Sequence, residues 1–246
     1  MSNGSTQYQK LENRLLLLSW LNSLLGYEKN RELLEDMKQA EEGFDAQGRS
    51  HIYYRLISRG SKLKISADDL ARYDDNIRAH LAVINARRTQ PITLRYFQYL
   101  AALYTEIVLD RLFNHKAQLL ADLNAFVCQR NATKLPGEPQ DEPFTEADLT
   151  KLAYWMATGS GKTLILHLNY YQFLHYNKEP LDNILLVTPN EGLSEQHLAE
   201  LAASGIPARR FDLNHGGLWR DSKHTVQVIE ITKLVEEKRG GGVSVP

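Results

Sequence analysis

One short glycine-rich stretch, residues 154–163 (YWMATGSGKT), constrains this chain more than any other part of its sequence. Apolar residues lead into a turn that carries Gly159 and Gly161, and a helix-like apolar run follows directly. Glycines let backbone N–H groups curl around an anion without a clashing Cβ, and the positive end of the following helix faces the same anion. The stretch therefore predicts a strand, a phosphate-binding loop and a helix, the arrangement called a P-loop.

Two residues of this stretch, Lys162 and Thr163, are the candidate catalytic residues. The lysine would reach the β and γ phosphates of ATP, and the hydroxyl of Thr163 would be a ligand for Mg²⁺. The general pattern asks for glycine where this chain has Met156, and the alternative interpretation is an ordinary strand-to-helix turn. The expected ATP-binding residues are Ala157, Thr158, Gly159, Ser160, Gly161, Lys162 and Thr163.

The bulk composition is that of a soluble globular protein with room for one large or two modest domains. A formal net charge of -1 over 246 residues means that any nucleic-acid surface must be a local patch. The single cysteine, Cys128, suits a reducing compartment and is expected to be a small buried hydrophobe. Because the first residues lack a basic signal-peptide region and the apolar run 15–18 is too short to span a bilayer, we expect a cytoplasmic protein with no membrane contact.

The order of patterns along the chain predicts an α/β protein. Residues 1–130 carry apolar positions at helical spacing and are expected to form a helical accessory domain. Residues 131–150 are rich in proline and acids, which indicates a linker or exposed loop. From 151 to 246 strands and helices alternate, which is typical of a parallel sheet. The expected strands are 152–155, 183–188, 208–213 and 225–232, and the expected helices between them are 162–176 and 193–203.

The segment ATGSGKT, residues 157–163, resembles motif I of the DEAD/DEAH-like helicases and translocases of superfamily 2, in particular the Res-subunit branch of type III restriction enzymes. Loops of this family often lack the leading glycine, which accounts for Met156. The resemblance implies that the last part of the chain is a first RecA-like domain that binds ATP and Mg²⁺. It also implies an ATP-dependent DNA helicase or translocase of restriction or phage-defence type.

Three further segments are similar to family motifs. Residues 187–196 (VTPNEGLSEQ) resemble motif Ia and 226–234 (VQVIEITKL) the next motif, and both contact nucleic acid in relatives. The implied nucleic-acid contacts are Thr188, Pro189, Asn190, Gln196 and Thr232. Residues 94–98 (LRYFQ) resemble the element whose glutamine reads adenine, which makes Gln98 an ATP-binding candidate, although its separation from Lys162 is longer than usual. The alternative interpretations are a capped helix start for residues 187–196, a plain buried strand for 226–234 and an ordinary helix-surface residue for Gln98.

An acidic element needed for hydrolysis is not evident in the sequence. A P-loop hydrolase holds Mg²⁺ and its attacking water with an Asp-Glu pair after an apolar strand, whereas this chain has only the lone Glu230 within such a strand. The chain resembles an N-terminal fragment of a motor, which predicts weak nucleotide binding and little hydrolysis by this chain alone. The expected partners are double-stranded DNA, in preference to RNA, and a modification or nuclease subunit. The alternatives are a P-loop phosphotransferase and a non-catalytic partner-binding module.

Overall fold

The computed structural model describes residues 14–211 and 224–233. Six helices of this described part precede the glycine-rich stretch: α1 Leu16–Leu24, α2 Asn30–Met37, α3 His51–Ile57, α4 Ala67–Asn85, α5 Tyr96–Asn114 and α6 Lys116–Ala132. The elements after it are α7 Lys162–Tyr176, β1 Ile184–Thr188, α8 Glu191–Ala203, β2 Ala208–Arg210 and β3 Val226–Glu230. The chain forms two compact units. The first contains the described residues up to 78 together with 93–160, and the second contains 79–92 together with the described residues from 161 onward.

The first unit is helical, and α3 and α4 begin where the sequence supplies a capping side chain. Ser50 precedes α3 and accepts a hydrogen bond from the backbone N–H of Tyr53 at 3.0 Å. The hydroxyl of Ser66 does the same for the N–H of Asp69 at 3.0 Å. Each hydroxyl satisfies an N–H group that has no partner within its helix, which fixes the residue at which the helix starts.

Buried polar groups, in addition to apolar side chains, stabilise the packing of these helices. Asp74 of α4 is fully buried and accepts hydrogen bonds from the Ser50 N–H at 3.0 Å and from the Tyr99 hydroxyl of α5. Burial and the neighbouring carboxylate raise the pKa of Tyr99 well above its ordinary value. Because a buried carboxylate without donors is costly, this network selects one packing of α4 against α3 and α5.

The second unit contains a parallel three-stranded sheet in the order β1-β3-β2. Val226 of β3 is paired with Ile184 on one side and with Ala208 on the other. One face of this sheet packs on a buried cluster that includes Leu201 of α8, and α7 contributes Leu166 to the same contact. The predicted α/β class, with a helical N-terminal region followed by a partial parallel-sheet domain, is therefore confirmed.

Two detailed expectations are wrong. Residues 152–155 do not form a strand, since 151–157 have no regular secondary structure. A strand requires a hydrogen-bonded neighbour, and the described sheet consists of β1, β3 and β2 alone. Cys128 is exposed on α6 rather than buried, because the helix turns Leu123 and Val127 inward instead. The domain boundaries at 130 and 150 stay a prediction, and the described helices include none with the length and hydropathy needed to cross a membrane.

Candidate functional site

The glycine-rich loop, residues 157–161, has the backbone that its two glycines predict. Gly159 has φ +76° and Gly161 has φ +88°, both in the left-handed region that side chains with a Cβ rarely adopt. Around Gly159 a Cβ would meet nothing within 4 Å, so the backbone dihedral rather than crowding requires the glycine. Gly161 is the N-cap that directly precedes α7, and its carbonyl accepts from the Ile165 N–H at 3.1 Å. The chain thus turns sharply at the loop, and α7 begins at the residue directly after Gly161.

The first half of the loop is braced from within and from α5. The carbonyl of Ala157 accepts from the Ser160 N–H at 3.2 Å and from the Ser160 hydroxyl at 2.6 Å. The Ser160 carbonyl in turn accepts from the Gln98 side-chain amide at 2.9 Å. The other end of that amide accepts from the Arg95 N–H at 3.0 Å, so both ends of Gln98 are engaged. Gln98 therefore holds the loop to the start of α5, and its adenine-reading role stays a prediction.

The candidate catalytic residues are the first two of α7. Lys162 is exposed and Thr163 is half-buried. Gly161 offers no side chain to cap the helix, so the first N–H groups of α7 are not satisfied by a capping side chain. Ile165 and Leu168 of the same helix are buried and hold it in the second unit. The exposed positive end and the ammonium of Lys162 together favour an anion at this point.

A second group of candidate residues lies at the carboxyl edge of the sheet. Thr188 ends β1 and pairs with Glu230, which ends the parallel strand β3, so both strands finish side by side. The Thr188 hydroxyl is buried and lies 2.6 Å from the hydroxyl of Ser194 on α8. This threonine therefore holds the β1–α8 turn through Ser194. The alternative interpretation of residues 187–196 was a helix start capped by Asn190 or Ser194; Asn190 is the cap, and Ser194 instead contacts Thr188.

The remaining nucleic-acid candidates are exposed around that edge. Asn190 caps α8 by accepting from the Leu193 N–H at 2.9 Å, and Pro189 precedes it. Thr232 follows β3 at the same edge, whereas Gln196 lies further along α8. The structure thus brings Thr188, Pro189, Asn190 and Thr232 to one edge and leaves Gln196 on the adjoining helix.

One cation near this edge, Arg210 of β2, is paired with carboxylates. The guanidinium of Arg210 makes two 2.9 Å ion pairs, one with Glu191 and one with Glu195 of α8. A phosphate contact by Arg210 would therefore compete with these two carboxylates.

The described residues contain no cluster of three His, Cys, Asp or Glu side chains that could hold a metal ion. Thr163, with a hydroxyl near the positive end of α7, can supply one oxygen to a cation that an anion brings with it. Such a cation would be held mainly by the anion, which is the manner in which Mg²⁺ usually binds with phosphates.

More than half of the chain matches a known protein family. A family model described as the type III restriction enzyme, res subunit, matches residues 111–239, which is just over half of the chain. The match contains α7, α8 and all three described strands, and it begins after Gln98. Searches of curated proteins and of solved structures found no match.

Proposed function

The chain belongs to the type III restriction enzyme res-subunit family of helicase superfamily 2, and from that premise we propose that residues 157–163 are a Walker A loop that binds ATP with Mg²⁺. The observation that carries this proposal is the backbone of the loop, in which Gly159 and Gly161 are both left-handed and lead straight into the uncapped first turn of α7. A triphosphate placed there would meet N–H groups from the loop and from the helix together.

Each residue of the loop has a defined task in this proposal. Lys162 would contact the terminal phosphates, and the Thr163 hydroxyl would hold Mg²⁺. Bound magnesium would supply neutralisation of the phosphate charge. Gln98 supports the loop through the Ser160 carbonyl, so its contribution to ATP binding is positional, whatever its part in base recognition.

The larger activity that we propose is that of an ATP-dependent DNA translocase or helicase of restriction or phage-defence type. Pro189, Asn190 and Thr232 are exposed at the carboxyl edge of the sheet, which is where ligands bind in open α/β folds. We propose double-stranded DNA as the partner there, with a modification or nuclease subunit in the assembly. A cytoplasmic location completes the proposal and agrees with the single cysteine.

Binding rather than turnover is what we propose for this chain by itself. Among the three described strands only β3 ends on a carboxylate, Glu230, and hydrolysis needs an acidic pair beside the phosphates. Without that pair the charge that develops in phosphoryl transfer has little stabilisation.

Titration with a fluorescent ATP analogue in the presence of Mg²⁺ tests this function. We expect saturable binding that Lys162→Ala removes and Thr163→Ala makes insensitive to magnesium. Lys178→Ala is the matched control, because it deletes an exposed lysine at the opposite end of α7. Equal binding by wild type and Lys162→Ala would refute the Walker A assignment.

Assays of DNA binding and of turnover separate the finer proposals. DNA binding that weakens steeply with salt supports the translocase over a phosphotransferase acting on a small substrate. Substantial DNA-stimulated hydrolysis that Lys162→Ala abolishes would refute the expectation of little turnover. Loss of nucleotide binding altogether, with retained binding of a protein partner, would favour the non-catalytic module.

A further inference from the structure

Residues 79–92 belong to the same compact unit as α7, α8 and the sheet, although they precede α5 in the sequence. This segment, which we name the arm, contains about the last two turns of α4 and the loop after it. The Asn85 side chain closes that loop with two hydrogen bonds, one to the Ile92 carbonyl at 2.9 Å and one from the Ile92 N–H at 2.8 Å. The arm lies outside residues 111–239, the part that the family model matches.

A chain of hydrogen bonds joins the arm to α7. Arg88 of the arm donates through Nη2 to the Ser204 hydroxyl at 2.8 Å, and that hydroxyl lies 2.8 Å from Nδ1 of His167 on α7. A guanidinium can only donate, so the Ser204 oxygen accepts from Arg88 and is free to direct its own proton to His167. Ser204 and His167 are both buried, and burial, with the charge of Arg88 next in importance, lowers the pKa of His167 to about 4. A neutral imidazole that accepts at Nδ1 fits this arrangement.

Further contacts hold the arm against the same helices. Arg88 also lies 3.9 Å from a carboxylate oxygen of Glu200 on α8. Tyr171 of α7 donates to the Ser204 carbonyl at 2.8 Å, and the His80 ring of the arm stacks on the Tyr171 ring at 6.2 Å with 15° between the planes. The arm therefore contacts α7 directly through His80, and it reaches His167 through Ser204, the residue that follows α8.

We propose that Arg88 is a positioning residue for nucleotide binding, acting through Ser204 and His167 on the helix that carries Lys162 and Thr163. This inference rests on the proposed function. His167 lies four residues after Thr163, about one helical turn, so a relay that fixes His167 also fixes the direction in which the first turn of α7 points. The ATP-binding unit is thus assembled from two separate stretches of sequence, one of which the family model does not include.

The relay also explains why its central residue is a serine. A buried hydroxyl can accept from one neighbour and donate to another, whereas an alanine at position 204 would leave Arg88 and His167 without their shared partner. The 116 positions between Arg88 and Ser204 make the bond a long-range connection rather than a local turn.

Two measurements on the full chain test the inference: hydrogen exchange of the α7 amides and the Kd for a fluorescent ATP analogue. For Arg88→Ala we expect about tenfold faster exchange in α7, unchanged exchange in α5, and about tenfold weaker nucleotide binding, the scale of one lost charge-assisted hydrogen bond. Arg87→Ala is the matched control, since it removes the same charge from an exposed neighbour on the arm, and it should stay within about twofold of wild type in both measurements.

Further variants distinguish positioning from a purely structural role. Arg88→Lys keeps a cationic donor and should restore most of the nucleotide affinity, and His167→Asn keeps an acceptor near the place of Nδ1. If Arg88→Ala does not fold, Ser204→Ala reports on the same relay and should weaken nucleotide binding while Arg87→Ala does not.

Several outcomes would overturn the inference. Faster exchange in α7 with an unchanged nucleotide Kd would make the relay structural only, and equal behaviour of Arg88→Ala and Arg87→Ala would remove it. If wild type binds no nucleotide, the proposed function itself fails. If wild type binds and Arg88→Ala binds equally well, the proposed function survives and only this inference is refuted.

Discussion

Acid should destabilise the second unit through His80, a residue of the arm packed between two aromatic rings. Its ring stacks on Tyr171 and meets the ring of His175 edge-on at 5.7 Å. Burial, with the nearby His175 as the second cause, lowers the pKa of His80 from 6.5 to about 4. The unfolded chain therefore takes up a proton between pH 6.5 and pH 4 that the folded unit does not, and stability falls as the pH decreases through that window.

The size of this effect follows from the pKa difference. At pH 5 the solution is about 1.5 pH units below the ordinary pKa of histidine. Protonation therefore stabilises the unfolded state by about 2 kcal/mol, at ~1.4 kcal/mol per unit. Above pH 6.5 the full stability is present, and below pH 4 this group causes no further loss. His167, whose pKa is also lowered to about 4, adds a loss in the same direction.

His80→Phe isolates this contribution, because phenylalanine keeps a ring on Tyr171 and cannot be protonated. Urea unfolding at pH 7 and pH 5 measures this contribution to stability, with hydrogen exchange of the α7 amides as the readout. We expect the stability loss between the two pH values to be about 1–2 kcal/mol smaller in His80→Phe than in wild type. His115→Phe, a change at an exposed histidine, is the control. If His80→Phe loses as much stability on acidification as wild type does, the assignment of the acid effect to this ring is wrong.

Two further changes have clear expected outcomes. Gly161→Ala places a Cβ on a residue with φ +88° and should cost about 1–2 kcal/mol, seen as a lower Tm and weaker nucleotide binding, and an unchanged Tm would contradict the left-handed backbone. Tyr99→Phe removes a donor from the buried Asp74 carboxylate and should cost about 1.5–3 kcal/mol in urea unfolding of the helical unit, whereas a cost near zero would show that Asp74 finds another donor.

Local features of this protein could be predicted from the sequence because their physical causes lie in neighbouring residues. The left-handed turn at Gly159 and Gly161 follows from glycine lacking a Cβ, and the start of α4 follows from the hydroxyl of Ser66 three residues before the N–H that it accepts. The parallel sheet could be expected from the alternation of apolar strands with helices. These signals lie within a few residues of the structure that they determine, so sequence order alone carries them.

Two predictions were wrong because distant parts of the chain decide the result. A strand at 152–155 required a neighbouring strand as well as apolar residues, and the buried side of α6 was set by what packs on Leu123 and Val127 rather than by the chemistry of Cys128. Gln98 as an ATP-binding residue stays a prediction, and only the fold shows that its amide is bonded to Ser160, 62 positions away.

The glycine-rich loop and the alternation of helices and strands after it were determined by the sequence itself, because backbone dihedrals, capping and apolar periodicity are properties of neighbouring residues. Tertiary structure alone decided that the arm joins the unit of α7 and that Arg88 reaches Ser204. A hydrogen bond depends on the distance between two atoms in space, and for residues far apart in the chain that distance is set only when the whole unit has packed.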